Sequence, residues 1–162
     1  MEQFRKYDAE EDRIVLDSKY LFAFTKTDGF SERLLRAQLL INYEYEYNLE
    51  LKAFQHERKT NNHSDYSTEK GMVTGKLLDH FERLLLSDYL TLKKYYDFVT
   101  LQITDVGQQQ YLINLEPKTV NINILDGLPE EYFKSETEKI LYEFNEFLKN
   151  WIEEKYQYWI RN

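Results

Sequence analysis

Glu44, Glu46 and Glu50 carry the one charge pattern in this chain with a specific chemical meaning. They stand in INYEYEYNLELKA, where Ile41, Tyr43, Tyr45, Tyr47, Leu49, Leu51 and Ala53 alternate with Asn42, Glu44, Glu46, Asn48, Glu50 and Lys52. On a helical wheel these apolar residues scatter all round; strict alternation predicts a half-buried strand. On such a strand same-face neighbours lie about 6.6–6.8 Å apart. That is of the order of the spacing between phosphates on a nucleic-acid strand. A carboxylate row at this spacing would imitate a phosphate backbone and suit the basic cleft of a nucleic-acid-binding protein. The bland alternative is a solvated sheet face. Glu143, Glu146, Glu153 and Glu154 extend the acidic surface along a C-terminal helix, and Trp151, Tyr158 and Trp159 offer aromatic anchors for a partner. For Trp151, core packing is the simpler expectation.

Other chemistry is weaker. Gly71-Met72-Val73-Thr74-Gly75-Lys76-Leu77 approaches a phosphate loop, but the spacing is one residue short and Leu77 stands where a magnesium-binding hydroxyl belongs. No strand pattern precedes it, so it reads as a helix start with small residues for close packing. His56, His63 and His80 are the only histidines, and none pairs at the i, i+4 spacing of a local metal site. His63-Ser64-Asp65 holds triad residue types, yet neighbours in sequence cannot form that geometry. Tyr43, Tyr45 and Tyr47 with Lys93 and Lys94 would make a base-stacking platform, but glutamates alternate with those tyrosines. No catalytic residue, metal or cofactor is assigned.

The elements that must position these residues follow from the pattern. Residues 1–12 read as a solvated lead-in or short helix. Arg13–Leu16 and Tyr20–Thr25 read as strands, with a turn at Thr27-Asp28-Gly29. Ser31–Leu40, SERLLRAQLL, has helix-forming residues behind a Ser cap. Residues 55–70 form a long polar loop. Residues 72–96 resume a helical pattern, with a break at Ser87-Asp88. Residues 98–104, 110–115 and 119–125 form an antiparallel meander. Pro129 opens the last helix, 129–160. Its face carries Ile140, Leu141, Phe144, Phe147, Leu148, Trp151, Ile152 and Trp159, and Ser135 with Glu138 makes a capping-box pair. The expected fold is α+β: a largely antiparallel sheet from 13–54 and 98–125, covered on one face by helices 72–96 and 129–160, its other face in water.

Length and composition place limits on function. The 162 residues suit one domain, 1–162, and 14 Tyr, 10 Phe and 2 Trp supply ample core. With no Cys, neither disulfides nor thiolate metal sites arise. No apolar run reaches a membrane span and the start lacks an apolar leader, so no membrane and a cytoplasmic location are expected. A net charge of −8, from 29 acidic and 21 basic residues, disfavours direct nucleic-acid binding and favours a partner with a basic surface. Preference for residues with AT-rich codons points to a low-GC bacterium or its phage or plasmid. The reading that results is a non-catalytic, acidic interaction protein from a mobile element. It would inhibit or regulate its target, in the manner of an anti-CRISPR, anti-restriction or immunity protein. Rival readings are a self-associating phage assembly protein joined through the C-terminal helix, a nucleic-acid-binding accessory factor, and an enzyme with an unfamiliar site.

Overall fold

A computed structural model describes residues 3–29, 33–56, 62–97 and 106–161. In chain order the elements are β1 (Arg5–Asp8), β2 (Arg13–Leu16), β3 (Tyr20–Thr27), β4 (Arg33–Asn42), β5 (Glu46–His56), β6 (Asn62–Met72), α1 (Gly75–Leu86), β7 (Tyr95–Tyr96), β8 (Gln108–Asn114), β9 (Thr119–Leu125) and α2 (Glu136–Arg161). Single 3-10 turns stand at Tyr89–Thr91 and Glu130–Tyr132. Among the described residues, seven strands form one sheet in the order β6-β5-β4-β3-β8-β9-β7. Every pairing in it is antiparallel except that of β7 with β9. The fold is α+β, as the sequence predicts.

The helical face of the sheet holds the main core. Phe22, Phe24, Leu35, Leu39, Leu49, Leu51, Tyr111 and Ile122 meet Leu77, Phe81 and Leu84 of α1 and Leu141, Phe144, Leu148 and Ile152 of α2. Each fully buried Leu, Ile or Phe contributes roughly 1.5–3 kcal/mol relative to exposure. Of the stripe on α2 predicted from periodicity, Leu141, Phe144, Leu148 and Ile152 are buried and Ile140, Phe147, Trp151 and Trp159 partly so, while Asn145 and Tyr156, outside the predicted stripe, are buried as well. At 26 residues α2 runs about 39 Å across the sheet. It begins at Glu136 rather than Pro129, which instead precedes the 3-10 turn. The capping box is fully formed: the Glu138 amide donates to Ser135 Oγ (3.0 Å) and the Ser135 amide to Glu138 Oε1 (3.1 Å). No described helix is long and apolar enough to cross a membrane.

A polar relay threads this core. Tyr111 Oη donates to Asn145 Oδ1 (2.9 Å), Asn145 Nδ2 to Gln109 Oε1 (3.1 Å) and Gln109 Nε2 to Asp126 Oδ1 (2.6 Å). A carboxylate accepts only, so Asp126 fixes the direction of every bond upstream. Burial pushes the Tyr111 hydroxyl well above its ordinary pKa, keeping it a donor. The relay joins α2 to β8 and to the end of β9.

Several expectations are corrected. The segment 33–40 is strand, not helix: β4 lies centrally between β3 and β5, and Ala37 to Ile41 are buried without a break. Burial on both faces overrides local propensity. The stretch 41–53 is not one strand, because the chain reverses at Asn42–Tyr45. Asn42 Oδ1 accepts from the Glu44 (3.1 Å) and Glu46 (2.9 Å) amides, and Tyr45 adopts φ of 60°. Most of the expected 55–70 loop is strand: β6 pairs with β5 from Asn62 to Met72. Its tip, 57–61, and the expected strand at 98–104 lie outside the described residues, as does 30–32. The helix predicted over 72–96 ends at Leu86, at the Ser87-Asp88 break. Residues 5–8 are strand, and the β1–β2 hairpin packs on the face expected to be bare. There Phe4 and Leu16 meet Ala23, Leu40 and Leu112 in a second, smaller core.

Candidate interaction surfaces

The turn at 43–45 removes the acidic row. Glu44 sits in the turn and Glu46 starts β5, so only Glu46 and Glu50 share a strand. Glu50 is 6% exposed, on the sheet face opposite the helices, and accepts from Gln38 Nε2 (3.4 Å) and the Tyr66 hydroxyl. It is therefore not available as a phosphate mimic.

On α2 the predicted acids are largely matched within the chain. Arg83 reaches Glu143 at 3.0 Å, Lys149 reaches Glu146 at 2.8 Å and Arg33 reaches Glu153 at 2.9 Å. The Arg33 hydrogen bond holds Glu153 below the ordinary carboxylate range. Arg33 also contacts Asp28 at 3.1 Å and lies 4.9 Å from the Tyr156 ring centre, so it clamps the start of β4 to α2. Glu154 is exposed and forms no ion pair with a described residue.

The aromatic anchors divide. Trp151 is partly buried, edge-on to Tyr47 at 5.6 Å, with Lys155 over its ring. That is core packing. Trp159 leans edge-on against Tyr156 at 5.8 Å, while Tyr158 is 71% exposed one turn beyond Glu154. Tyr158, Trp159 and Lys155 form one wall of a cleft of about 390 Å³, with Leu49 and Leu51 of β5 and Ser67 and Glu69 of β6 completing it. Glu69 accepts from Tyr47 Oη (2.7 Å) and Lys155 Nζ (2.9 Å). Burial opposes ionisation of Glu69, but those two partners outweigh it and lower its pKa. Beside the cleft runs β6, an 11-residue strand at the sheet edge whose outer side pairs with no described strand. The sequence gives no sign of this edge, because NHSDYSTEKGM has neither periodicity nor β-branched enrichment.

The remaining candidates do not converge. Tyr43 is exposed, Tyr45 packs on Phe81 and Tyr47 on Trp151. Lys93 and Lys94 precede β7 at the opposite edge of the sheet. Five strand spacings of about 4.8 Å separate β5 from β7, which rules out a shared stacking platform. His80 stacks on Phe147 at 4.7 Å, and burial lowers its pKa. His56 and His63 lie across the β5–β6 ladder, one position out of register. Among the described residues no group of three or more His, Asp or Glu is placed to hold a metal. In the Gly71–Leu77 stretch a strand, β6, does lead in; Gly71 lies under the Tyr47 ring, where a Cβ would approach to 2.9 Å, and Leu77 is core.

The opposite sheet face carries a feature that sequence reasoning missed. The register aligns Glu50, Gln38, Thr25, Gln110 and Asn123 across five neighbouring strands. The alternation at 121–124 and the triplet Gln108–Gln110 are its only traces in sequence. The β1–β2 hairpin overhangs this polar row and leaves a groove of about 520 Å³. No protein-family model matches the chain, and no curated protein matches it in sequence.

Proposed function

We propose that the chain is a non-catalytic protein-interaction module of the inhibitor or regulator kind, binding a partner along the β6 edge. The observation that carries this reading is the outer edge of β6, which pairs with no described strand, beside the cleft of Tyr158 and Trp159. An edge strand offers backbone donors and acceptors to an extended segment, and adjoining pockets select its side chains. A partly buried Trp and an exposed Tyr supply the kind of contact area that dominates interface energetics. Asp65 on β6 and Glu154 on α2 are exposed and form no ion pair with a described residue. With the net charge of −8 they favour a basic partner. The target's nucleic-acid-binding surface is the kind of basic face such a module would block, whether its source is a phage or another mobile element.

The test is capture from native-host lysate at low and high salt, comparing wild type with Tyr158→Ala and Glu154→Lys. Expected is a salt-released basic partner whose recovery both variants lower about tenfold, at unchanged melting temperature. Recovery of the bait alone, of the bait with itself, or of a partner that both variants retain contradicts the reading.

A further inference from the structure

The groove under the N-terminal hairpin is walled by Arg5, Lys6 and Tyr7 and floored by Thr25, Gln110 and Asn123. Its volume of about 520 Å³ is in the range of small-molecule sites. Two of its described lining residues are cations and none is a carboxylate, although acids outnumber bases 29 to 21 in the chain. Three other arginines show the contrast. Arg33 has Asp28 and Glu153, Arg83 has Glu143, and Arg13 lies 3.8 Å from Asp8. Arg5 instead donates to the neutral Gln110 Oε1, and burial lowers its pKa with no carboxylate opposing the shift. A guanidinium with no carboxylate partner among the described residues favours an incoming anion, and its planar fork suits an oxyanion's two oxygens.

The floor is oriented in advance. Gln110 Nε2 donates to Asn121 Oδ1 (3.2 Å) and Asn123 Oδ1 (3.1 Å). Asn123 Nδ2 in turn donates to Asn121 Oδ1 and to the Lys94 carbonyl, each at 3.0 Å. These amides hold one another in place, so binding costs little reorganisation. Thr27 and Gln108 add a hydroxyl and a further amide to the same groove.

We propose that this groove binds a phosphorylated, hydrogen-bond-rich small molecule, a nucleoside or sugar monophosphate. Arg5 holds the phosphate, and the threonine and amide floor holds the body. The guanidinium fork of Arg5 suits two oxygens of a phosphomonoester, which carries roughly −1.5 to −2 at neutral pH. The groove lies on β3, β8 and β9 on the face away from α2, whereas the cleft beside β6 faces α2. Occupancy of one site is therefore measurable without the other.

Isothermal titration of the full chain tests this with the four ribonucleoside 5′-monophosphates and glucose 6-phosphate, each beside its unphosphorylated counterpart. At least one phosphorylated probe is expected to saturate. Removing its phosphate should weaken binding about ten- to hundredfold, and Arg5→Gln should do the same. Thr25→Val, which preserves shape, should weaken it several-fold and decides the matter if Arg5→Gln lowers the melting temperature. No saturation by any phosphorylated probe, equal binding of its unphosphorylated counterpart, or wild-type affinity in both variants overturns the proposal. Inorganic phosphate binding as tightly as the esters overturns the assignment of the floor.

Discussion

Substituting Tyr111→Phe removes one oxygen from a fully buried side chain and tests whether the core relay holds α2 on the sheet. The ring stays in place against Phe22, Phe24 and Phe144, so the packing term is nearly unchanged. What changes is Asn145 Oδ1, which loses its donor inside a residue only 3% exposed. A buried acceptor left unpaired costs about 1–3 kcal/mol. Asn145→Ala strands both the Tyr111 hydroxyl and Gln109 Oε1 and opens a small void, so about 3–5 kcal/mol is expected. The informative quantity is the double variant. Once Asn145 is gone the hydroxyl is already orphaned, and removing it should cost almost nothing, leaving a coupling of about 1–3 kcal/mol. Urea unfolding followed by the fluorescence of Trp151 and Trp159, both on α2, measures all three. Tyr132→Phe, at a half-exposed ring, is the control and should stay within about 0.5 kcal/mol. If Tyr111→Phe costs no more than that control, or costs the same with and without Asn145, the relay contributes nothing and the reasoning fails.

Two further outcomes follow from the same structure. Ser135→Ala removes the Oγ that accepts from the Glu138 amide, leaves the arm from the Ser135 amide to Glu138, and should cost about 1 kcal/mol in urea unfolding, whereas Ser135→Asp should retain most of it. Stability should fall on acidification in two stages. His80 has a lowered folded pKa, so the unfolded chain takes up its proton first and stability declines as pH drops below about 6.5. His80→Gln should flatten that stage in unfolding titrations between pH 7 and 5.5. Asp28 is held down by Lys26 at 2.6 Å and by Arg33, against the cost of its burial. Glu69, Glu138 and Glu153 are lowered as well. Their contributions are present above the unfolded carboxylate pKa and are lost as pH falls through the folded values, which steepens the decline below about pH 4.5.

What the sequence determined by itself is what local chemistry decides. The Ser135–Glu138 pair sets the start of α2 because the capping partners are three residues apart, and helical periodicity selects Leu141, Phe144, Leu148 and Ile152 among the residues that α2 buries, though not Asn145 or Tyr156. Short β-branched and aromatic runs likewise place β2 and β3, and alternation places β9. Tertiary structure decided the rest. Leu, Arg, Ala and Gln favour helix at 33–40, yet these residues form a central strand, since β3 and β5 flank them and bury both faces. The 41–53 alternation is genuine, but Asn42 turns the chain within it. The period is unbroken by the turn, so the pattern cannot show that Glu44 leaves the strand or that Glu50 is buried. Strand β6 has no sequence signature because its stability comes from an 11-residue backbone ladder with β5 rather than from its own side chains. The cleft beside that edge and the groove under the hairpin are built from residues far apart in the chain: Glu69 with Lys155, and Arg5 with Gln110. Register and packing bring them together, and neither is encoded in any single window of sequence.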